Sequence, residues 1–196
     1  MRLHNRIGPG RIVLVSIVLL FLAVLASADY VTFQGDNQRT GNLTGTGPTE
    51  PNLLWSASLT GHGIISAAPA ISGERLYVPN WPDMTFKGEL GLACLDRADG
   101  KLIWKYESDD QIRSMPTRLG RSALVAGCDG HLHVVDLDQG KVVRKIDLDA
   151  PTGSTAAVLG PRAFVGIEGA AFYGIDWQAG KILWAFEPKH GSPTFR

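Results

Sequence analysis

Five histidines, two cysteines and nineteen carboxylates are the side chains of this 196-residue chain that could carry acid–base, metal or thiol chemistry. His131-Leu132-His133 puts two imidazoles on one face of a strand, a spacing that could begin a metal site. No third ligand stands beside them, so packing is the expected role of both. Asp109-Asp110 reads as a solvated turn rather than an acid pair. Asp36 and Arg39 could form a surface ion pair of small worth. His62, Arg113 and His190 fall at or before the first strands of successive repeats, where they could contact a partner on a rim. Cys94 falls in a strand of one repeat and Cys128 in a turn of the next, which points to isolated thiols rather than a bridge. Neither a Gly-x-Ser-x-Gly elbow nor a GxxxxGK phosphate loop occurs. No catalytic or metal site is expected, and no cofactor.

The elements that must position these groups repeat. Residues 96–104 read DRADGKLIW, residues 136–144 DLDQGKVVR and residues 176–184 DWQAGKILW. Asp96, Gly100 and Lys101 therefore recur as Asp136, Gly140 and Lys141, and again as Asp176, Gly180 and Lys181, forty residues apart each time. Each copy is a hairpin turn between two apolar strands. The Asp side chain can accept backbone N–H groups of the turn, and the Gly can take the positive φ of the tight return. Trp104 and Trp184 lie four residues past the Gly, where an indole can pack on the neighbouring repeat. Arg144 holds that place in the middle copy, with an aliphatic stem able to cover the site.

A period near forty built of short strands and Gly-rich turns predicts an all-β fold, a β-propeller of four-stranded antiparallel blades. Three blades are predicted, at about 61–108, 109–149 and 150–189. Residues 53–59, LLWSASL, form a lone strand candidate ahead of them, expected to lie beside the first blade. Residues 190–196 look like the opening strand of a further blade. Residues 80–88 are an insertion in the first repeat. The open ring leaves apolar blade faces able to self-associate.

Residues 1–28 resemble a signal segment. Arg2, Arg6 and Arg11 precede an apolar run over residues 12–25, and Ala26-Ser27-Ala28 offers a cleavage site. About fourteen apolar residues are short for a bilayer span of roughly twenty, so export with cleavage near Ala28 is expected, with membrane contact only through an uncleaved segment. No Cys follows the run to carry a lipid. Residues 29–52, rich in Gly, Thr, Asn and Pro, read as an irregular lead-in on the surface, with a weak sequon at residues 42–44. Nineteen basic residues balance nineteen acidic ones, which gives no long-range pull toward nucleic acid or anionic lipid.

The stretches 127–141, GCDGHLHVVDLDQGK, and 165–184, VGIEGAAFYGIDWQAGKILW, resemble the repeat of the quinoprotein alcohol dehydrogenase-like (PQQ-like) β-propeller family. Its AxDxxTGxxxW docking motif matches at Asp96, Gly100 and Trp104 and at Asp176, Gly180 and Trp184. Cys94, Val134 and Gly174 stand where the motif has Ala, and His133 where the repeat usually has Tyr. The lead-in FQGDNQRTG, residues 33–41, is similar to the opening segment of many exported members. The family includes dehydrogenases that bind pyrroloquinoline quinone with Ca²⁺, and BamB-like scaffolds of outer-membrane protein assembly. The resemblance implies the fold. It does not choose the function; with no catalytic constellation among the residues, an exported, non-catalytic propeller that binds protein partners on a rim is expected. It leaves open a fragment of a PQQ- and Ca²⁺-dependent alcohol or sugar dehydrogenase, or a recognition propeller of a larger exported protein.

Overall fold

A computed structural model describes residues 29–36, 38–41, 50, 52–59, 63–64, 67–82, 90–169 and 171–187. The signal segment, the sequon, His62, His190 and the predicted opening strand at 190–196 lie outside the described residues. Every regular element among those described is a strand.

The first sheet holds β1 (Gly63–Ile64), β2 (Ala70–Ser72), β3 (Arg75–Pro82), β4 (Gly91–Asp96) and β5 (Leu102–Glu107). β1 and β2 both pair with β3, two short pieces along one neighbour. β3 runs three residues into the expected insertion. The second sheet is β6 (Thr117–Leu119), β7 (Ser122–Ala126), β8 (His131–Asp136) and β9 (Lys141–Asp147). The third is β10 (Ala157–Leu159), β11 (Arg162–Gly166), β12 (Phe172–Asp176) and β13 (Lys181–Phe186). Each is an antiparallel meander in sequence order. Each carries a register shift two residues before the motif Asp, at Cys94/Leu95, Val134/Val135 and Gly174/Ile175. A bulge of this kind adds twist, which suits blades that splay from an axis.

The three turns are built alike. Asp96 Oδ1 accepts the Ala98 N–H at 2.7 Å, Asp136 Oδ1 those of Asp138 and Gln139 at 2.9 Å, and Asp176 Oδ1 that of Ala179 at 2.7 Å. Gly100, Gly140 and Gly180 have φ of 72°, 66° and 71°, a region closed to most L residues, and each N–H returns to the motif Asp carbonyl.

The middle blade explains why its strands read as apolar runs rather than as alternation. Ala123, Val125 and Val135 face the first blade, against Leu92, Cys94 and Tyr106. Leu124, Ala126, Leu132 and Val134 face the third, against Val158, Val165 and Ile175. Both flanks are sealed, and apolar burial at both seams holds the stack together. Beyond the third blade nothing described continues the stack. Every residue of β13 is exposed, including Ile182, Leu183, Trp184 and Phe186.

Two expectations need correction. Residues 53–59 form no strand: Leu53 and Leu54 are exposed, and the segment has no ladder partner. It nevertheless lies beside the first blade through one side chain, Trp55. The lead-in, expected to lie on the surface, instead enters the fold: Thr32 is buried, and Tyr30 bridges to Ile71 in antiparallel fashion.

Candidate functional site

Two regions gather the side chains singled out above. In a meander the β5–β6, β7–β8 and β9–β10 connections share one end of the stack. The Asp-x-x-x-Gly turns share the other.

At the turn end, an indole from one blade caps the turn of the next. Trp104 Nε1–H donates to the Leu137 carbonyl at 3.1 Å. A Cβ placed on Gly140 would sit 2.5 Å from that ring, so the absence of a side chain is what admits it. Trp55 does the same one blade earlier: Nε1–H donates to the Arg97 carbonyl at 2.9 Å, with the ring over Gly100. The acceptor in both cases is the residue after the motif Asp. The third turn is covered by Arg144, whose Nη1 donates to the Ala179 carbonyl at 3.2 Å and whose stem lies over Gly180. Trp184 lies over Gly174 of its own sheet, near Phe164 and Phe172, and stays 42% exposed. The match of LLW in residues 53–55 to LIW in residues 102–104 was the signal for Trp55 as a cap.

At the other end lies a network that crosses the first seam. His133, on β8 and facing the first blade, is fully buried. Its Nε2 lies 2.9 Å from Asp129 Oδ1 and its Nδ1 2.8 Å from the Tyr106 hydroxyl on β5. A carboxylate only accepts, so Nε2 carries the proton and Nδ1 accepts from the phenol. Gly127 makes room, since a Cβ there would meet Asp129 Oδ1 at 2.5 Å and His133 Nε2 at 2.9 Å. Asp129 Oδ2 stands 3.4 Å from His131 Nδ1 and 3.8 Å from Lys145 Nζ, and Lys145 also pairs with Asp109. Burial pushes the His133 pKa below its ordinary 6.5, against the opposing pull of Asp129. Burial raises the Tyr106 phenol. The Lys145 partner holds the Asp109 carboxyl low.

The two histidines thus share a cluster but not a metal site: among the described residues, no group of three or more His, Cys, Asp or Glu is placed to hold an ion. Asp109 is in an ion pair and Asp110 caps the Gln111 N–H, so the two carboxyls do not act together. Arg113 stands on the same rim, with its Nε–H donated to Gln111 at 2.9 Å. Asp36 accepts from Thr40 rather than forming the expected pair, and Arg39 reaches the Thr155 carbonyl at 2.9 Å. Cys94 and Cys128 are free thiols. Cys128, Asp129, Asp147, Asp149 and Pro151 line a shallow open hollow on the rim. The sequence reading missed Tyr106 and Asp129 as partners of His133. Tyr106 comes from another repeat, and nothing in local spacing marks a contact across a seam.

The family model described as outer membrane protein assembly factor BamB matches residues 39–185. The curated BamB of Bordetella pertussis is 28% identical over 135 residues, which cover 68% of this chain and 33% of that protein. The chain therefore spans about a third of that relative's length. Among solved structures, BamB from Moraxella catarrhalis superposes with a TM-score of 0.50 at 22% identity, covering 61% of this chain and 35% of that one. Quinohemoprotein alcohol dehydrogenase from Comamonas testosteroni superposes with a TM-score of 0.68 at 16% identity, covering 91% of this chain and 30% of that one. At these identities the structural likeness speaks to the fold alone.

Proposed function

The chain belongs to the family of the outer membrane protein assembly factor BamB, and on that premise we propose that it is an exported, non-catalytic propeller that binds a protein partner through the rim opposite its Asp-x-x-x-Gly turns. One observation carries this reading. The side chains best suited to proton chemistry, His133 and Tyr106, are buried against each other in a seam, whereas several carboxylates stand on the rim. Asp109 and Asp110 are there, with Asp129, Asp147 and Asp149 at the hollow, against the cations of Lys145 and Arg113. An acidic rim favours a partner surface rich in Lys and Arg, with binding that weakens as salt rises. By analogy with the named relatives, the partner is a component of outer membrane protein assembly. Signal cleavage near Ala28 and self-association through the exposed face of β13 belong to the same proposal. No cofactor is needed for this role.

A photo-crosslinking residue placed at Asp110 on the rim, and separately at Gln139 on the turn end, tests it in the cell envelope. The expected result is a discrete adduct from position 110 to an outer membrane assembly protein, with none from position 139. Absence of any adduct from the rim overturns the reading. Reduction of an electron acceptor by the purified protein with PQQ, Ca²⁺ and an alcohol or sugar would favour the dehydrogenase reading instead.

A further inference from the structure

The first strand of each blade has one edge paired to its own sheet and one edge left open, and the open edges of the three blades lie side by side. Such an edge presents a row of backbone donors and acceptors that another extended chain can satisfy. The lead-in does so with its backbone on the first two blades and reaches the third through a side chain. Tyr30 exchanges both backbone hydrogen bonds with Ile71 of β2, at 2.9 and 2.7 Å. The Val31 carbonyl accepts the Arg118 N–H of β6 at 2.9 Å. Arg39 ends the track on the Thr155 carbonyl, just ahead of β10, at 2.9 Å.

Side chains fix the register. The Asp29 carboxylate accepts the Gly73 N–H at 2.8 Å and lies 3.3 Å from both the Ser72 hydroxyl and the Arg118 guanidinium. Three residues on, the buried Thr32 hydroxyl meets that of Thr117 at 3.1 Å. The segment is not relaxed in this place. Gln34 and Arg39, at φ of 63° and 56°, are two of the three non-glycine residues with positive φ in the described chain. Non-glycine residues hold such angles only where their contacts compel them. That strain is released if the segment leaves, which offsets part of the cost of displacing it.

We propose that the open edges of β2 and β6 form a binding track for one short extended protein segment, with a carboxylate side chain first and a hydroxyl three residues later, and that residues 29–32 occupy the track as a displaceable strap, fastened beyond it by Arg39. The track is distinct from the acidic rim, so either assignment can fail without the other.

The test uses a fluorescent synthetic peptide of residues 29–41 as the probe, added to the full chain and to the variant carrying Asp29→Ala, Thr32→Val and Arg39→Ala. The expected result is saturable binding to the variant, at least about tenfold tighter than to the unaltered chain, with amide shifts centred on Ile71 and Arg118. No saturable binding to the folded variant, or equal binding to both proteins, overturns the proposal. Should the triple variant fail to fold, Arg39→Ala alone is read by hydrogen exchange. Exchange of the Arg118 and Ile71 amides about tenfold faster, with Leu132 unchanged, supports a strap that can leave. Unchanged exchange at both amides refutes it.

Discussion

Replacing Trp104 and Gly140 singly and together probes the contact that joins the first two blades. A well-buried Trp→Ala change costs about 3–5 kcal/mol. Trp104 is only half-buried, which brings its packing share to about 2 kcal/mol, and the lost indole bond to Leu137 adds about 1. Trp104→Ala should therefore cost about 2–3 kcal/mol. Gly140→Ala acts from the other side. The φ of 66° costs an L residue about 1 kcal/mol or more, and the new Cβ, 2.5 Å from the ring, must push the indole out of its seat. That displacement forfeits part of what Trp104 contributes, about 1–2 kcal/mol. Once Trp104 is Ala the second cost disappears and only the backbone cost remains. The double variant should thus be more stable than the sum of the singles by about 1–2 kcal/mol, read by urea unfolding followed by far-UV circular dichroism. Strict additivity would refute the idea that Gly140 exists to seat Trp104. Trp184→Ala should cost less than Trp104→Ala, because Trp184 caps no described turn and is 42% exposed.

Three further outcomes follow from the geometry. The folded-state pKa of His133 lies below its unfolded value of 6.5, so the unfolded chain takes up the proton first. The contribution of His133 to stability is whole above that value and is lost as pH falls through the lower folded one. Protonation would place a second N–H against the Tyr106 hydroxyl and leave the phenol proton without an acceptor, while Asp129, His131, Lys145 and Asp109 set the surrounding field. His133→Gln should flatten the stability profile between pH 7 and 5, and a slope equal to that of the unaltered chain would contradict this. Arg144→Trp should stabilise by about 1 kcal/mol in the same unfolding assay by restoring an indole over Gly180; a loss of stability would mean that this turn is shaped for the guanidinium. Burial pushes the Cys94 thiol up to about 11, so iodoacetamide at pH 8 should leave it unmodified by mass spectrometry until the chain is unfolded.

What the sequence disclosed divides by distance along the chain. The hairpins around Gly100, Gly140 and Gly180 were legible because every determinant of each lies within nine residues and recurs every forty. Strands β8 and β9 flank one of these turns directly, ending at Asp136 and starting at Lys141. The starts of the first strands are not legible locally: β6 and β10 begin only at Thr117 and Ala157, because ahead of them the Met115 N–H is drawn to the Thr155 hydroxyl of the next blade rather than to its own sheet. Residues 53–59 carry a strand's composition without a partner edge, and pairing is not a property of composition. The path of the lead-in was opaque because Gly, Thr and Asn describe a loop equally well whether it lies in solvent or along three strand edges. His133 showed the same limit: its apolar surroundings were readable, but the phenol and carboxylate that satisfy it come from β5 and from a turn.

Two of the three turn glycines, Gly100 and Gly140, seat an indole supplied by the strand or segment before them, and ring currents report this directly. In an NMR spectrum of the native protein, the α-protons of Gly100 and Gly140 should be shifted upfield, with nuclear Overhauser contacts to the indoles of Trp55 and Trp104, while those of Gly180, under Arg144, should not. Three glycines with the same unshifted resonances and no indole contacts would contradict it.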